Sequence, residues 1–385
     1  MKLTRSGNTT SGQATANSNK EVITYYNDKE QPKQEFTKRN KKYITTRQNE
    51  TILNISQQMV GIGKGDDYVQ LDIEGNYTTK DLISKSTYLT INKKPSELEF
   101  LNNFNEDALR SNLENIYKNI DQSTAKLLDI FICKLVERGN IDANNTAIAI
   151  DVKEYATILN GGNEPTRSQI NKAREKIKRG MDALKYISYT YKKGKTSHLN
   201  ISLYGGTDAI HNGKVMFRFN PDFIRLNFYT QGYLNVVPLS VLSLDEGRTP
   251  HAYLMAKKLL SLRRNNRGNH YRETTFKVKT LLDFVISLPH YRNDKGKVIC
   301  KHPNQQIITP FENTLNALEQ TGVLKWHYDK DYIDKQADAS YKLTFEDFEQ
   351  ASIIIEWNKE FEEQDKSIIE GRKNHEQKKL NKGKK

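Results

Sequence analysis

From residue 123 the apolar positions fall at helical spacing, with Leu127, Leu128, Phe131, Ile132, Leu135 and Val136 on one face. Ser123 stands where a cap for that helix is expected. Residues 146–150 then read as a short strand, and Asp151 opens a short helix that runs to Leu159 and ends at Gly161 and Gly162. A longer helix begins after Pro165, with Ile170, Ala173, Ile177, Met181 and Leu184 facing inward. Residues 186–192 and 198–204 read as paired strands around Lys193, Gly194 and Lys195. A further strand at 214–220 precedes a helix opened by Pro221 and Asp222.

The same order of elements returns further along the chain. Thr249 and Pro250 start a helix carrying Leu254, Ala256, Leu259, Leu260 and Leu262. Residues 275–278 are extended, 279–285 form a short apolar helix, and a loop holds Pro289, Gly296 and Pro303. A helix over 305–320 buries Ile308, Phe311, Leu315 and Leu318, and residues 323–328 and 341–345 read as a β-hairpin with a long polar connection. Helix, strand, short helix, long helix, hairpin is the order of a winged helix. Its double occurrence predicts an α+β chain with two tandem winged-helix domains, at 116–236 and 237–358. The repeat is one of pattern and not of sequence. Residues 1–45 are rich in Ser, Thr, Asn, Gln and Lys and are expected to be a disordered tail. Residues 46–115 form an N-terminal extension with short apolar stretches at 52–55, 68–73 and 88–91, and 359–385 form a basic tail.

The hydrophobic fraction, 36%, lies below the about 45–50% of compact domains and fits the presence of tails. Sixty Lys and Arg against 47 Asp and Glu give a net charge of +13, which favours a polyanionic partner. No apolar run approaches the about 20 residues that span a bilayer, and no signal-peptide core is visible at the N-terminus. The two cysteines, Cys133 and Cys300, are too few for a disulfide framework or a cysteine zinc site. The expectation is a cytoplasmic, nucleic-acid-binding protein with no membrane association.

In a winged helix the second helix of the helix-turn-helix enters the major groove, and the hairpin can meet the flanking backbone. In the first copy Arg167, Asn171, Arg174 and Lys178 recur at steps of four, three and four, with Lys172, Lys176 and Arg179 beside them. Arg and Asn make bidentate contacts to guanine and adenine, whereas Lys suits phosphates. Lys192, Lys193 and Lys195 sit at the hairpin turn, where they would neutralise phosphates. In the second copy Gln305, Gln306, Thr309 and Asn313, with Asn304 and Asn316, are polar and uncharged, and Lys301 and His302 precede them. A merely solvated basic face is the bland alternative for the first set, and an AT-rich genome that fills a surface with Asn and Gln is the alternative for the second. Arg263, Arg264 and Arg267 could reach phosphate or simply end a helix against its dipole.

No catalytic site emerges from the sequence. The eight His never fall two residues apart, so the paired-His metal site of rolling-circle nucleases is absent from the pattern. Gly61, Gly63, Lys64 and Gly65 lack the ending of a phosphate loop and read as a turn. Asp329 and Asp331 could form a carboxylate pair but fall in the polar connection, without the further ligands that a two-metal site needs. A non-enzymatic protein with neither cofactor nor metal is expected.

On this order and texture, residues 115–347 resemble the plasmid replication initiators, the Rep proteins with tandem winged helices. The resemblance rests on Asp151-Val-Lys-Glu-Tyr-Ala156, on 170–187 and on Gly213-Lys-Val-Met-Phe-Arg-Phe-Asn-Pro-Asp-Phe223. It extends to His251-Ala-Tyr-Leu-Met-Ala-Lys-Lys-Leu259, where Thr249 and Tyr253 take the Ser and Tyr places of a helix these initiators carry. The resemblance implies binding to repeated sites at a plasmid origin, melting of adjacent AT-rich DNA, and recruitment of a host initiator and the replicative helicase. It also implies dimers that repress their own gene at its promoter or restrain replication, a first winged helix mainly for dimerisation and phosphate contact, and a second that carries most base readout. Two other functions remain open at this point: a winged-helix transcriptional repressor, and a metal-dependent nicking or priming enzyme.

Overall fold

The computed structural model describes residues 22–23, 36–37, 42–64, 68–73, 75–80, 87–92, 106–138, 141–193, 197–229, 233–265, 274–288, 291 and 298–367. The architecture is mixed α+β. In the unit Met1–Lys41, strands β1 (Val22–Ile23) and β2 (Phe36–Thr37) pair antiparallel. Every other element belongs to a second unit, Lys42–Lys385.

Strand β3 (Tyr43–Gln48) turns Ile44, Thr46 and Gln48 inward and pairs along its length with β12 (Tyr233–Pro238). The tail expected to run to residue 45 therefore gives way to a strand at Tyr43. Two of the three inward side chains are polar, so no apolar alternation announced it. Gln48 is satisfied by Asn235, whose amide donates to its Oε1 over 2.9 Å. Helix α1 (Glu50–Ile62) follows, capped by Asn49, which accepts from the Ile52 amide at 2.8 Å. This helix is interior and buries Ser56, Gln57 and Gln58 beside Ile52, Ile55 and Met59.

The other described stretches of the extension are equally structural. Strands β4 (Val69–Leu71), β5 (Tyr77–Thr79) and β6 (Thr87–Ile91) continue through β8 (Ile187–Lys193) and β9 (Ser197–Ser202) into a five-stranded sheet. Gln58 fastens α1 to that sheet, accepting from Thr79 Oγ1 and from the Leu89 amide, each at 2.6 Å. Helix α2 (Glu106–Asn119) leads to α3 (Gln122–Glu137). The cap of α3 is Asp121, not Ser123, which is buried within the first turn.

After α3 come β7 (Ala147–Asp151), α4 (Val152–Leu159), α5 (Arg167–Leu184), β8 and β9, as the hydrophobic pattern predicted. The strand partners are less simple. β8 and β9 pair with each other, but β7 lies in a separate sheet with β10 (Tyr204–His211) and β11 (Lys214–Phe219), in the order β10–β11–β7. Helix α6 (Pro221–Ile224) opens at Pro221 and runs into a π-helical turn, Arg225–Tyr229.

β12 and the short α7 (Leu239–Leu242) lead to α8 (Ala252–Asn265), which starts two residues after Pro250. β13 (Thr275–Lys277) and α9 (Val278–Phe284) fall where expected. The helix expected over 305–320 is a π-turn, Asn304–Ile308, followed by α10 (Thr309–Gln320). Pro310 has no amide to donate to the carbonyl four residues back, and the Thr309 amide already reaches five residues back to Asn304. The inserted residue shifts the phase, so Ile307 is fully buried and Ile308 only partly.

The expected hairpin is corrected in its second strand. β14 (Leu324–Tyr328) pairs with β15 (Ser352–Trp357), giving a sheet in the order β13–β15–β14. Residues 341–345 form no strand, and the connection holds helices α11 (Lys330–Ala337) and α12 (Phe345–Gln350). Residues 359–367, expected to begin the basic tail, are helical and bury Phe361 and Asp365.

The expected boundary at 236/237 falls inside β12, and the core runs across it. Lys257 of α8 lies 2.6 and 2.7 Å from the two carboxylate oxygens of Asp129 on α3, and its Nζ donates to Ser56 Oγ of α1 at 2.6 Å. The Tyr253 hydroxyl donates to the same carboxylate at 2.6 Å. Burial pulls the Lys257 ammonium down from its ordinary range, against the opposing pull of Asp129. Around this cluster Leu127, Leu128, Phe131 and Leu254 are fully buried, each contributing about 1.5–3 kcal/mol of apolar burial.

Candidate nucleic-acid interface

Helix α5 carries the first set of candidate residues. Thr166 and Gln169 cap it reciprocally: the Thr166 amide donates to Gln169 Oε1 at 2.7 Å, and the Gln169 amide donates to Thr166 Oγ1 at 3.3 Å. The turn from α4 needs two left-handed residues, Gly161 at φ +67° and Gly162 at φ +91°. Asn160 closes this turn through the carbonyls of Asn163 and Glu164. Ala173, Ile177, Met181 and Leu184 bury the inner face, and Gly180 lets the helix approach α3 at Leu127.

The outer face carries the predicted stripe. Arg167, Asn171, Lys172, Arg174 and Lys178 are all exposed, and among the described residues none of these side chains has a hydrogen-bond or ion-pair partner. Two neighbours behave differently. Arg179 pairs with Asp121 at 2.9 Å, and Lys176 lies 3.8 Å from Glu246. Glu246 also meets the buried Lys126 at 3.3 Å. Burial lowers the Lys126 pKa, although Glu246 opposes the shift. A surface depression beside the stripe is lined by Asn171, Lys172, Arg174, Glu175 and Lys176, all from α5.

The hairpin lysines fall at one end of the five-stranded sheet. The backbones of Lys192 and Lys193 pair with His198 and Ser197; their side chains, and Lys195 altogether, lie outside the described residues. The hairpin is thus the edge of a larger sheet, held through the pairing of Tyr191 with Thr87 in β6. In sequence the extension that builds this support shows only as short apolar stretches, of which 68–73 and 88–91 coincide with β4 and β6.

In the second set Lys301, Gln305, Gln306, Thr309 and Asn313 are exposed. Gln306 accepts from the Cys300 thiol at 2.8 Å, and Asn316 is occupied by the Trp326 indole at 3.0 Å. Gln305, Thr309 and Asn313 stand one turn apart along the π-turn and α10. Arg263 is internal: it pairs with Asp365 and lies 5.2 and 4.9 Å from the ring centres of Trp357 and Phe361. Arg264 and Arg267 fall outside the described side chains. Lys214 and Arg218 are exposed on the outer face of β11 flanking Met216; the strand's alternation could have revealed them.

Of the residues weighed for catalysis, Asp329, Gly61 and Gly63 have structural positions, Asp331 is exposed, and Gly65 lies outside the described residues. Asp329 caps α11, accepting from the Tyr332 amide at 3.0 Å, and also accepts from the Ser352 amide at 2.8 Å. Asp331 is an exposed residue of the first turn. Gly61 ends α1 rather than forming a loop, and Gly63 packs against the Ile120 carbonyl. Among the described residues no group of three or more His, Cys, Asp or Glu is placed to hold a metal ion, and no helix is long and apolar enough to cross a membrane. No protein-family model matches the sequence, and no curated protein matches it.

Proposed function

We propose that the chain is a sequence-specific, double-stranded-DNA-binding protein of the plasmid replication initiator kind, acting in the cytoplasm without catalytic chemistry. The observation that carries this reading is the unpaired basic stripe of α5, presented on a capped, well-anchored helix of 18 residues. Such a helix is about 27 Å long, and its exposed Arg and Asn are the side chains that read base edges. The tandem winged-helix reading is supported by the β13–β15–β14 sheet around α9 and α10, with the α11–α12 insertion as a departure. In the first half the separation of β7 from β8 and β9 departs further.

Under this reading Arg167, Asn171 and Arg174 contribute base contacts, with Gln305, Gln306, Thr309 and Asn313 from the second half. Lys172, Lys178, Lys192, Lys193 and Lys195 contribute the main phosphate contacts, and Lys301 a weaker one from the second half. Repeated origin sites and the chain's own promoter are the DNA partners. A host initiator, the replicative helicase and a second copy of the chain are the protein partners. Nuclease footprinting of the DNA flanking the chain's own gene, with and without Mg²⁺, tests it. Periodic protection over direct repeats on intact strands, lost with Arg174→Ala, is expected. One protected operator points instead to a repressor, a Mg²⁺-dependent nick points to an enzyme, and absence of protection at low salt refutes DNA binding.

A further inference from the structure

The net charge of +13 is unevenly distributed. Residues 1–273 hold 41 Lys and Arg against 29 Asp and Glu, and residues 368–385 hold seven against two. Residues 274–367, which include α9 to α12, hold twelve against sixteen, a net −4 within a basic protein. The two candidate reading helices differ in the same sense. α5 carries six Lys and Arg against Glu175 and Asp182, whereas 304–320 carry no Lys or Arg and two Glu.

The acidic excess lies beside α10. The Tyr328 hydroxyl, at the end of β14, donates to Glu312 in the first turn of α10 at 2.9 Å. The chain then turns directly into α11, whose Tyr332 packs on Tyr328 with ring centres 4.5 Å apart. The connection 329–350 holds three Lys against seven Asp and Glu. Asp331 and Asp334 are exposed. Lys335 is committed to Asp347 at 2.8 Å. Where a hairpin wing would bring cations to the backbone, this chain therefore brings carboxylates. At about 0.1 M salt the Debye length is about 10 Å, so exposed carboxylates act on phosphates that come within about that distance.

We propose that the two halves divide DNA binding unequally: the α5 half supplies the phosphate-neutralising affinity, and the α11–α12 insertion holds phosphates away from α10. This rests on the DNA-binding reading and inverts the division of labour that the initiator resemblance implies. Each phosphate neutralised adds about 0.9 to the slope of log affinity against log salt, so the slope reports where contact is made.

The test is fluorescence anisotropy of the full chain with a mixed-sequence duplex of about 30 base pairs, from about 50 to 200 mM KCl. The double variant Lys172→Ala, Lys178→Ala is expected to reduce the slope by about 2, and Lys301→Ala by less than about 0.5. The double variant Asp331→Lys, Asp334→Lys is expected to tighten binding at least about threefold at the lowest salt and to steepen the slope. Asp331→Asn with Asp334→Asn should give a smaller change of the same sign. The proposal is overturned if Lys301→Ala removes as much slope as one α5 cation, or if charge reversal in the insertion leaves affinity unchanged. Absence of salt-dependent binding by the unaltered chain would instead defeat the DNA-binding reading on which it rests.

Discussion

Replacing Lys257 by Met strips the cation from a buried four-member cluster and leaves the Asp129 carboxylate with the Tyr253 hydroxyl alone. The Lys257 and Asp129 side chains are 3% and 7% exposed, so water cannot take the place of the missing ammonium. Removing one partner of such a pair costs about 3–5 kcal/mol, because the other charge stays desolvated. In a chain of this size that corresponds to a fall of roughly 5–10 °C in Tm. Asp129→Leu should be as damaging, since it strands the ammonium. The double variant Lys257→Met, Asp129→Leu removes both desolvation penalties and leaves only the Tyr253 hydroxyl to satisfy, since Ser56 Oγ still donates to the Ile52 carbonyl at 3.1 Å. It should be less destabilised than either single variant, with a coupling of about 2–3 kcal/mol. Urea and thermal unfolding followed by circular dichroism measure all four corners of this cycle. Losses below about 1 kcal/mol for the singles, or strict additivity in the double, would refute the view that this cluster pins α1, α3 and α8 together.

Other consequences follow from single sites. A Cβ at Gly205 would overlap the Phe219 carbonyl, which is held by Thr146 Oγ1 at 2.6 Å; Gly205→Ala should cost at least about 2 kcal/mol in unfolding experiments. His251 is pushed down to about 4 by burial and secondarily by Lys64, and contacts Ser287 at 2.7 Å. Its folded pKa lies below the unfolded value of 6.5, so the unfolded chain binds the extra proton. Its contribution is complete above about pH 6.5 and is lost as the pH falls toward 4, about 1–2 kcal/mol after allowance for partial exposure. His251→Gln should flatten that part of a stability–pH profile. Under the DNA-binding reading Arg174→Lys should keep the salt dependence of binding but lose preference among sites, because an ammonium cannot reproduce the bidentate fork; competition between footprinted and mixed-sequence DNA reads this directly.

The parts of the fold legible in sequence are those where burial follows hydrophobicity. α3, α4 and α5 have inward faces of Leu, Ile, Met and Ala, and the Gly pair at 161 and 162 marks a turn that only left-handed residues make. The extension was legible only as short apolar stretches, at 52–55, 68–73 and 88–91, because the rest of its burial is partly polar. Gln57 spends its amide on the Phe284 carbonyl at 2.8 Å, Gln58 on the β5–β6 ladder, and Asn49 on Asn227 at 3.0 Å. Such side chains read as surface until the partners are known, and those partners lie far away in the chain. β15 was missed for a different reason: Ile353, Ile354 and Ile355 form a continuous run without alternation, which periodicity alone does not assign. Its true pairing then required a helical insertion that a polar segment does not announce. The stripe on α5 was visible because spacing alone creates it. The acidic neighbourhood of α10 was not, because it depends on Tyr328 turning the chain back beside Glu312.

Under the DNA-binding reading, α5 is set apart less by its charge than by the way it is held. Gly180 sets its depth against α3, Arg179 ties it to the cap of that helix at Asp121, and β8 carries its C-terminal end into a five-stranded sheet. Its N-terminal end is fixed by the capping box and by a turn whose Gly161 abuts Ser243. A duplex arriving here would order only the long side chains, at about 0.5–1.5 kcal/mol each, and not the helix beneath them. α10 begins instead at a π-turn imposed around Pro310, with carboxylates alongside. Equal exposure of the two polar faces therefore does not make them equivalent: rigidity and charge both favour α5, and both follow from residues far outside the stripe itself.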